Sequence, residues 1–136
     1  ILYREEDCQK RVMDITDGKG VPVVYDAIGK DTFEKSLDCL SPRGLMVSFG
    51  NSSGPVTGVD LAILGAKGSL YVTRPSLMVY NATRKELEKS AGDLMKLVGD
   101  GTIKVNIGQT YPLSEARKAH EDLEGRKTTG STVFTV

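Results

Sequence analysis

Apolar positions along this chain change period repeatedly, and the changes mark out its elements. From Arg4 to Thr16 the period is helical: Cys8, Val12 and Ile15, spaced by four and three, share one face. Glu5, Glu6 and Asp7 fall in the first turn, where the helix dipole favours acids, and Gly18 stops the helix. Val21 to Ile28 is then almost continuously apolar and rich in β-branched residues, the pattern of a parallel strand buried on both faces. Asp31 to Leu40 reads as a second helix, with Asp31 and Glu34 in a D-x-x-E capping pattern and Phe33, Leu37 and Leu40 on one face. Leu45 to Phe49 is a second buried strand. Gly50 to Pro55 is a polar loop rich in breakers, Asp60 to Lys67 a short helix, and Leu70 to Thr73 a third strand closed by Pro75. The opening Ile1-Leu2-Tyr3 reads as the tail of a strand already in progress, so the chain is expected to be a piece of a larger protein. Strands linked through helices by short connections run parallel with right-handed crossovers. The predicted fold is therefore α/β, one half of an open doubly wound parallel sheet.

Beyond Pro75 the texture changes. Thr83 and Glu86 make a T-x-x-E capping box ahead of a long amphipathic helix carrying Leu87, Ala91, Leu94 and Val98. Ile103, Val105 and Ile107 alternate with Lys104 and Asn106, which predicts a half-buried strand. Ser114 is placed to cap a further helix with Leu113, Ala116, His120 and Leu123 on one side, and Ser131 to Val136 forms a last strand. A separate structural unit is expected to begin near Ser76.

Composition narrows the functional classes. Eighteen basic residues balance eighteen acidic ones in 136, which gives no support to a nucleic-acid or membrane-surface role. No apolar run approaches the roughly 18 residues of a membrane helix. The two cysteines, Cys8 and Cys39, form no CxxC pair, and with the single histidine they fall short of the usual zinc ligand count, so no metal site is expected. Both lie in helical patterns among apolar residues and are expected to be reduced and mostly buried, in a cytoplasmic protein.

Candidate chemistry is sparse. His120 is expected to be a packing histidine, with a general base as the alternative. Asp26, inside a strand pattern, either forms a turn or points toward a ligand at the sheet edge. No GxGxxG or GxxxxGK[ST] motif occurs. Ala27-Ile28-Gly29 and Phe49 to Gly54 both follow strands, at the carboxyl edge where open α/β sheets bind ligands; on spacing alone the favoured reading of each is an ordinary turn.

The stretches YREED (3–7), VVYDAIG (23–29), SLDCLSPRGLMVSFGNSSGPVTG (36–58), GSLYVTRPSL (68–77), YPLSEARKAHEDLE (111–124) and GRKTTGS (125–131) resemble the bacterial NADPH:quinone oxidoreductases. These form the zinc-free, zeta-crystallin-like branch of the medium-chain dehydrogenase/reductases, and the similarity spans essentially the whole chain. The resemblance implies that residues 1–75 are the C-terminal half of an NADPH-binding Rossmann domain and residues 76–136 the C-terminal segment of a GroES-like substrate domain. It implies hydride transfer from NADPH to a quinone with no catalytic side chain demanded. It also implies a homodimer joined through the edge of strand Leu70–Thr73. By the same resemblance Tyr3 lies beside the adenosine 2′-phosphate, and Ala27 and Ile28 line the adenine-ribose side. Phe49, Gly50, Asn51 and Ser52 lie at the nicotinamide and its ribose, Thr73, Arg74 and Pro75 close that end, and Arg126 reaches the cofactor from the substrate domain. The phosphate-binding glycine turn and the lysine partner of Tyr3 have no counterpart here. The other reading is a non-catalytic nucleotide-sensing or interaction module built on half the fold; an upstream strand followed by a GxGxxG-like turn would separate the two.

Overall fold

In a computed structural model of the chain, residue 1 and residues 5–136 are described. Of the strand expected at Ile1-Leu2-Tyr3, Leu2 and Tyr3 lie outside the described residues, and Ile1 is in no strand. The chain divides into two compact units, Ile1–Tyr80 and Asn81–Val136.

The first unit is built on three parallel strands in the order β1 (Val21–Asp26), β2 (Leu40–Ser48), β3 (Tyr71–Thr73). Before β1 comes α1 (Cys8–Ile15), with the Asp7 carboxylate accepting from the Lys10 amide as its N-cap. Helix α2 (Phe33–Asp38) links β1 to β2, and α3 (Ala62–Ala66) links β2 to β3. A short helix, α4 (Leu77–Tyr80), follows. The helix periodicity of α2 and the alternation of β2 meet in one core: Phe33, Leu37, Leu40, Met46 and Leu70 are buried, with Val21, Val24, Val56, Ile63 and Leu64 packed against them. Leu40 belongs to β2 rather than to the preceding helix.

Three expectations need correction here. The strands are covered on one face only. Val24, Asp26, Met46 and Ser48 face the helices, but the register Val23–Leu45–Tyr71 and Tyr25–Val47–Thr73 sets those side chains on the other face, where Tyr25 is 73% and Tyr71 61% exposed. Helix α2 starts at Phe33 without the Asp31–Glu34 box; its N-cap Thr32 makes no side-chain cap bond, because the hydroxyl donates to Asp26 instead. Helix α1 leaves Cys8 exposed and Ile15 61% exposed.

The second unit holds α5 (Arg84–Gly99), two parallel strands, β4 (Ile107–Pro112) and β5 (Ser131–Thr135), and between the strands α6 (Ala116–Glu124). The capping box before α5 is complete: the Thr83 hydroxyl accepts from the Glu86 amide, and the Glu86 carboxylate accepts from the Thr83 amide at 2.9 Å. None of the residues of α5 is buried, and its apolar stripe is partly open, with Leu94 50% and Met95 68% exposed. Ile103 and Val105 precede the strand, which starts at Ile107 and pairs with β5 from there. Ser114 lies in a short 3-10 turn (Leu113–Glu115) and caps nothing. The buried residue of α6 is Ala119; His120 is exposed, as is Leu123. The packing-histidine expectation is thus overturned by a one-residue rotation of the buried stripe. On the same helix the Tyr111 hydroxyl of β4 donates to Asp122 at 3.0 Å, and Lys127 donates to the same carboxylate.

Candidate functional site at the carboxyl edge of the sheet

The three strands of the first unit end together at Asp26, Ser48 and Thr73, and the turns that follow them are bonded to one another. The Asp26 carbonyl accepts from the Phe49 amide at 2.8 Å, the Ser52 amide donates to the Ala27 carbonyl at 3.3 Å, and the Ser53 amide donates to the Ile28 carbonyl at 2.9 Å. From the other side the Lys30 amide reaches the Gly54 carbonyl at 3.1 Å. The two turns approach so closely that glycine is required at their contact. A Cβ on Gly50 would lie 2.7 Å from the Ala27 Cα, and one on Gly29, whose φ is +92°, 2.6 Å from the Gly54 carbonyl oxygen. Turns 27–29 and 49–54 therefore form one continuous surface.

Asp26 organises that surface from beneath. Its buried carboxylate accepts from the Ile28 amide (2.8 Å), the Gly29 amide (2.9 Å), the Thr32 hydroxyl (2.7 Å) and the Ser36 hydroxyl (2.7 Å). Burial alone would raise its pKa, but the hydrogen bonds from Ser36, Gly29, Thr32 and Ile28 outweigh it and hold the carboxyl below the ordinary value of 3.8. Of the two readings open in the sequence, the turn former is the one built here, and the oxygens are spent inside the chain. Sequence reasoning had no signal for the Thr32 and Ser36 bonds, which depend on α2 docking over β1.

Above this floor the side chains divide into apolar and polar. Phe49 is 52% and Ile28 43% exposed at the edge, Asn51 and Ser52 are exposed, and Ala27 is half-buried. Arg74, just past β3, turns back over the neighbouring strand end: its Nη1 donates to the Ser48 carbonyl at 2.9 Å and the Gly50 carbonyl at 3.1 Å. A cleft of about 320 Å³ opens beside it, lined on its apolar walls by Phe33, Val56, Leu64 and Val72, with Ser48, Asn51 and Arg74 as its polar groups. Thr73 and Pro75 flank Arg74 at the same edge. Tyr3 lies outside the described residues. Arg126 belongs to the second unit, in the turn after α6, with φ +55°.

The pattern of the zinc-binding dehydrogenase family matches residues 1–134. The chain belongs to that family. It is 59% identical over 136 residues to quinone oxidoreductase 1 of Escherichia coli and 56% identical over 134 residues to a quinone oxidoreductase of Pseudomonas aeruginosa. Each alignment covers 98% of this chain but only 42% and 41% of the relative. The fold superposes on the Escherichia coli quinone oxidoreductase solved in complex with NADPH with a TM-score of 0.91 at 58% identity, covering all of this chain and 42% of that one. The resemblance to bacterial quinone oxidoreductases is borne out, and the parallel sheet is the C-terminal half of the Rossmann fold of that enzyme class. The chain spans about two fifths of the length of the relatives it matches.

The donor chemistry can be set against the groups such a family implies. For zinc the residues do not fit: among the described residues no three His, Cys, Asp or Glu side chains come together. For a dinucleotide they fit in part. The paired turns present an exposed aromatic ring, an amide and a hydroxyl at the carboxyl edge, where such cofactors lie, although the glycine-rich pyrophosphate turn has no counterpart in the sequence. Among the described residues no helix is long and apolar enough to cross a membrane.

Proposed function

We propose that the complete gene product transfers hydride from NADPH to a quinone, and that the first unit supplies one wall of its nicotinamide pocket. The observation that carries this reading is the bonding of turns 27–29 and 49–54 into one surface on the carboxyl edge of a parallel sheet. Ala27 and Ile28 would hold the adenine-ribose side, and Phe49, Gly50, Asn51 and Ser52 the nicotinamide and its ribose. Thr73, Arg74 and Pro75 would close that end. Arg126, together with Tyr3 beside the 2′-phosphate, would complete the set. The Phe49 and Ile28 side chains offer apolar area to flat rings, while the Asn51 amide and Ser52 hydroxyl orient them by hydrogen bonds. Bound there, the nicotinamide supplies the hydride. A reduced quinone can take its proton from water, so these residues need only position and shield.

In the same proposal residues 1–75 are the C-terminal half of the NADPH-binding domain and residues 76–136 the closing segment of a GroES-like substrate domain. The enzyme is a cytoplasmic homodimer. The test is the loss of NADPH absorbance on adding a benzoquinone or naphthoquinone to the complete gene product. Quinone-dependent oxidation is expected, and its absence with both quinones overturns the reading.

A further inference from the structure

The guanidinium of Arg74 is largely occupied within the chain. Besides the Ser48 and Gly50 carbonyls, Nη1 lies 3.3 Å from the Ser48 hydroxyl. Nη2 donates to the Asn51 side-chain oxygen at 3.1 Å, with the amide oriented by its hydrogen-bond network so that its nitrogen meets the Gly50 carbonyl at 2.8 Å. One planar fork thus ties the end of β3 to the end of β2 and to the turn beyond it. That turn is gripped from both sides. Its amides at Phe49 and Gly50 point to the Asp26 carbonyl on β1, at 2.8 and 3.4 Å, and its carbonyls at Ser48 and Gly50 point to Arg74. Phe49, whose ring is half exposed at the edge, sits between the two grips.

We infer that Arg74 is a positioning residue: it braces the 48–51 turn across the sheet and so fixes where the Phe49 ring and the Asn51 amide meet a bound ring. This rests on reading that edge as the nicotinamide wall. A lysine in its place is a poor substitute, since one ammonium cannot reach the backbone carbonyls and the Asn51 oxygen with the geometry of a fork. Small displacements of a positioning surface act on the reacting geometry rather than on overall affinity.

Two measurements on the complete gene product test this. In amide hydrogen exchange without any ligand, Arg74→Gln should speed exchange at Phe49 and Gly50 by about tenfold or more while the amides of α2 are unchanged, with Arg74→Lys intermediate. Unchanged exchange at the turn overturns the brace. In NADPH oxidation with a quinone, Arg74→Gln should lower kcat by about tenfold or more with the NADPH KM altered less than about twofold, and Arg74→Lys should recover part of the loss. A raised KM with kcat intact makes Arg74 a direct ligand contact and likewise overturns the inference. If the wild type oxidises no NADPH yet the exchange effect is present, the functional reading fails while the brace stands. Arg74→Lys, which keeps stem and charge, carries both tests if Arg74→Gln does not fold.

Discussion

At the scale of single residues, Asp26 shows how one buried charge converts chain order into a surface. Four donors from two elements converge on its carboxylate. Asp26→Ala would leave the Ile28 and Gly29 amides and two hydroxyls without their acceptor, and a loss of about 2–4 kcal/mol is expected in denaturant titration. Asp26→Asn should lose less, since its amide oxygen can still accept from both backbone groups. The pH dependence follows from the direction of the shift. The folded-state pKa is depressed, so the contribution is complete above the ordinary value of 3.8 and is lost as pH falls through the lower folded value. An acid titration of wild type against Asp26→Asn should therefore converge below that range. The cysteines give a second prediction. Burial, the neighbouring Cys8 thiol and the nearby Asp38 and Asp7 charges push the Cys39 thiol up to about 11, whereas Cys8 is exposed. A maleimide at neutral pH should modify Cys8 in the folded protein and reach Cys39 only on unfolding, read by mass after proteolysis.

At the scale of elements, what could be read in advance was what the local chain decides. The capping box at Thr83 and Glu86 forms as its spacing predicts, because both partners lie within one turn. Thr83→Ala should cost about 1 kcal/mol, and helical content measured by circular dichroism in a thermal melt should report it. The Asp31–Glu34 box carries the same spacing but does not form, because Thr32 is already bound to Asp26 on a neighbouring strand and α2 begins there. Likewise the alternation of Ile103 and Val105 is a genuine strand pattern, yet β4 starts only where β5 offers a partner. His120 is exposed because the face of α6 that is buried centres on Ala119, one residue away, a choice that no periodicity records. The carboxyl-edge turns were legible as a place, from their position after strands. Their bonding to one another was not, since it depends on glycine contacts between segments over twenty residues apart. Gly50→Ala tests that contact: a Cβ there meets the Ala27 backbone, so the turns must part. The kcat for NADPH oxidation by the complete gene product with a quinone should fall about tenfold or more if the paired turns form the nicotinamide wall.

At the scale of the molecule, the sheet among the described residues is open on one face and at both edges, β1 and β3, and the face and the β3 edge call for different partners. The open face, with Tyr25 and Tyr71 exposed, is where a doubly wound fold carries its other helical layer, and a dinucleotide needs the pyrophosphate-binding turn that this sequence lacks. The 136-residue chain by itself should therefore bind NADPH weakly or not at all; micromolar binding in a fluorescence titration would contradict this. The edge is a different matter. Strand β3 is terminal in the order β1-β2-β3, leaving backbone groups free to pair with another chain. Three residues of strand are too short to hold a dimer by hydrogen bonds alone. The chain continues directly into α4, however, where Leu77, Met78, Val79 and Tyr80 are each at least 70% exposed, an apolar patch beside the unpaired edge. Pairing of two β3 edges about a two-fold axis would bring these patches under the same interface and supply the burial the short strands lack. The complete gene product is accordingly expected to scatter light as a dimer. Tyr71→Lys, which sets a charge on each edge strand close to the axis, should shift it toward monomer with the circular dichroism spectrum unchanged. A wild-type monomer at high concentration would rule out the edge pairing, and a dimer indifferent to charge at Tyr71 would move the interface elsewhere.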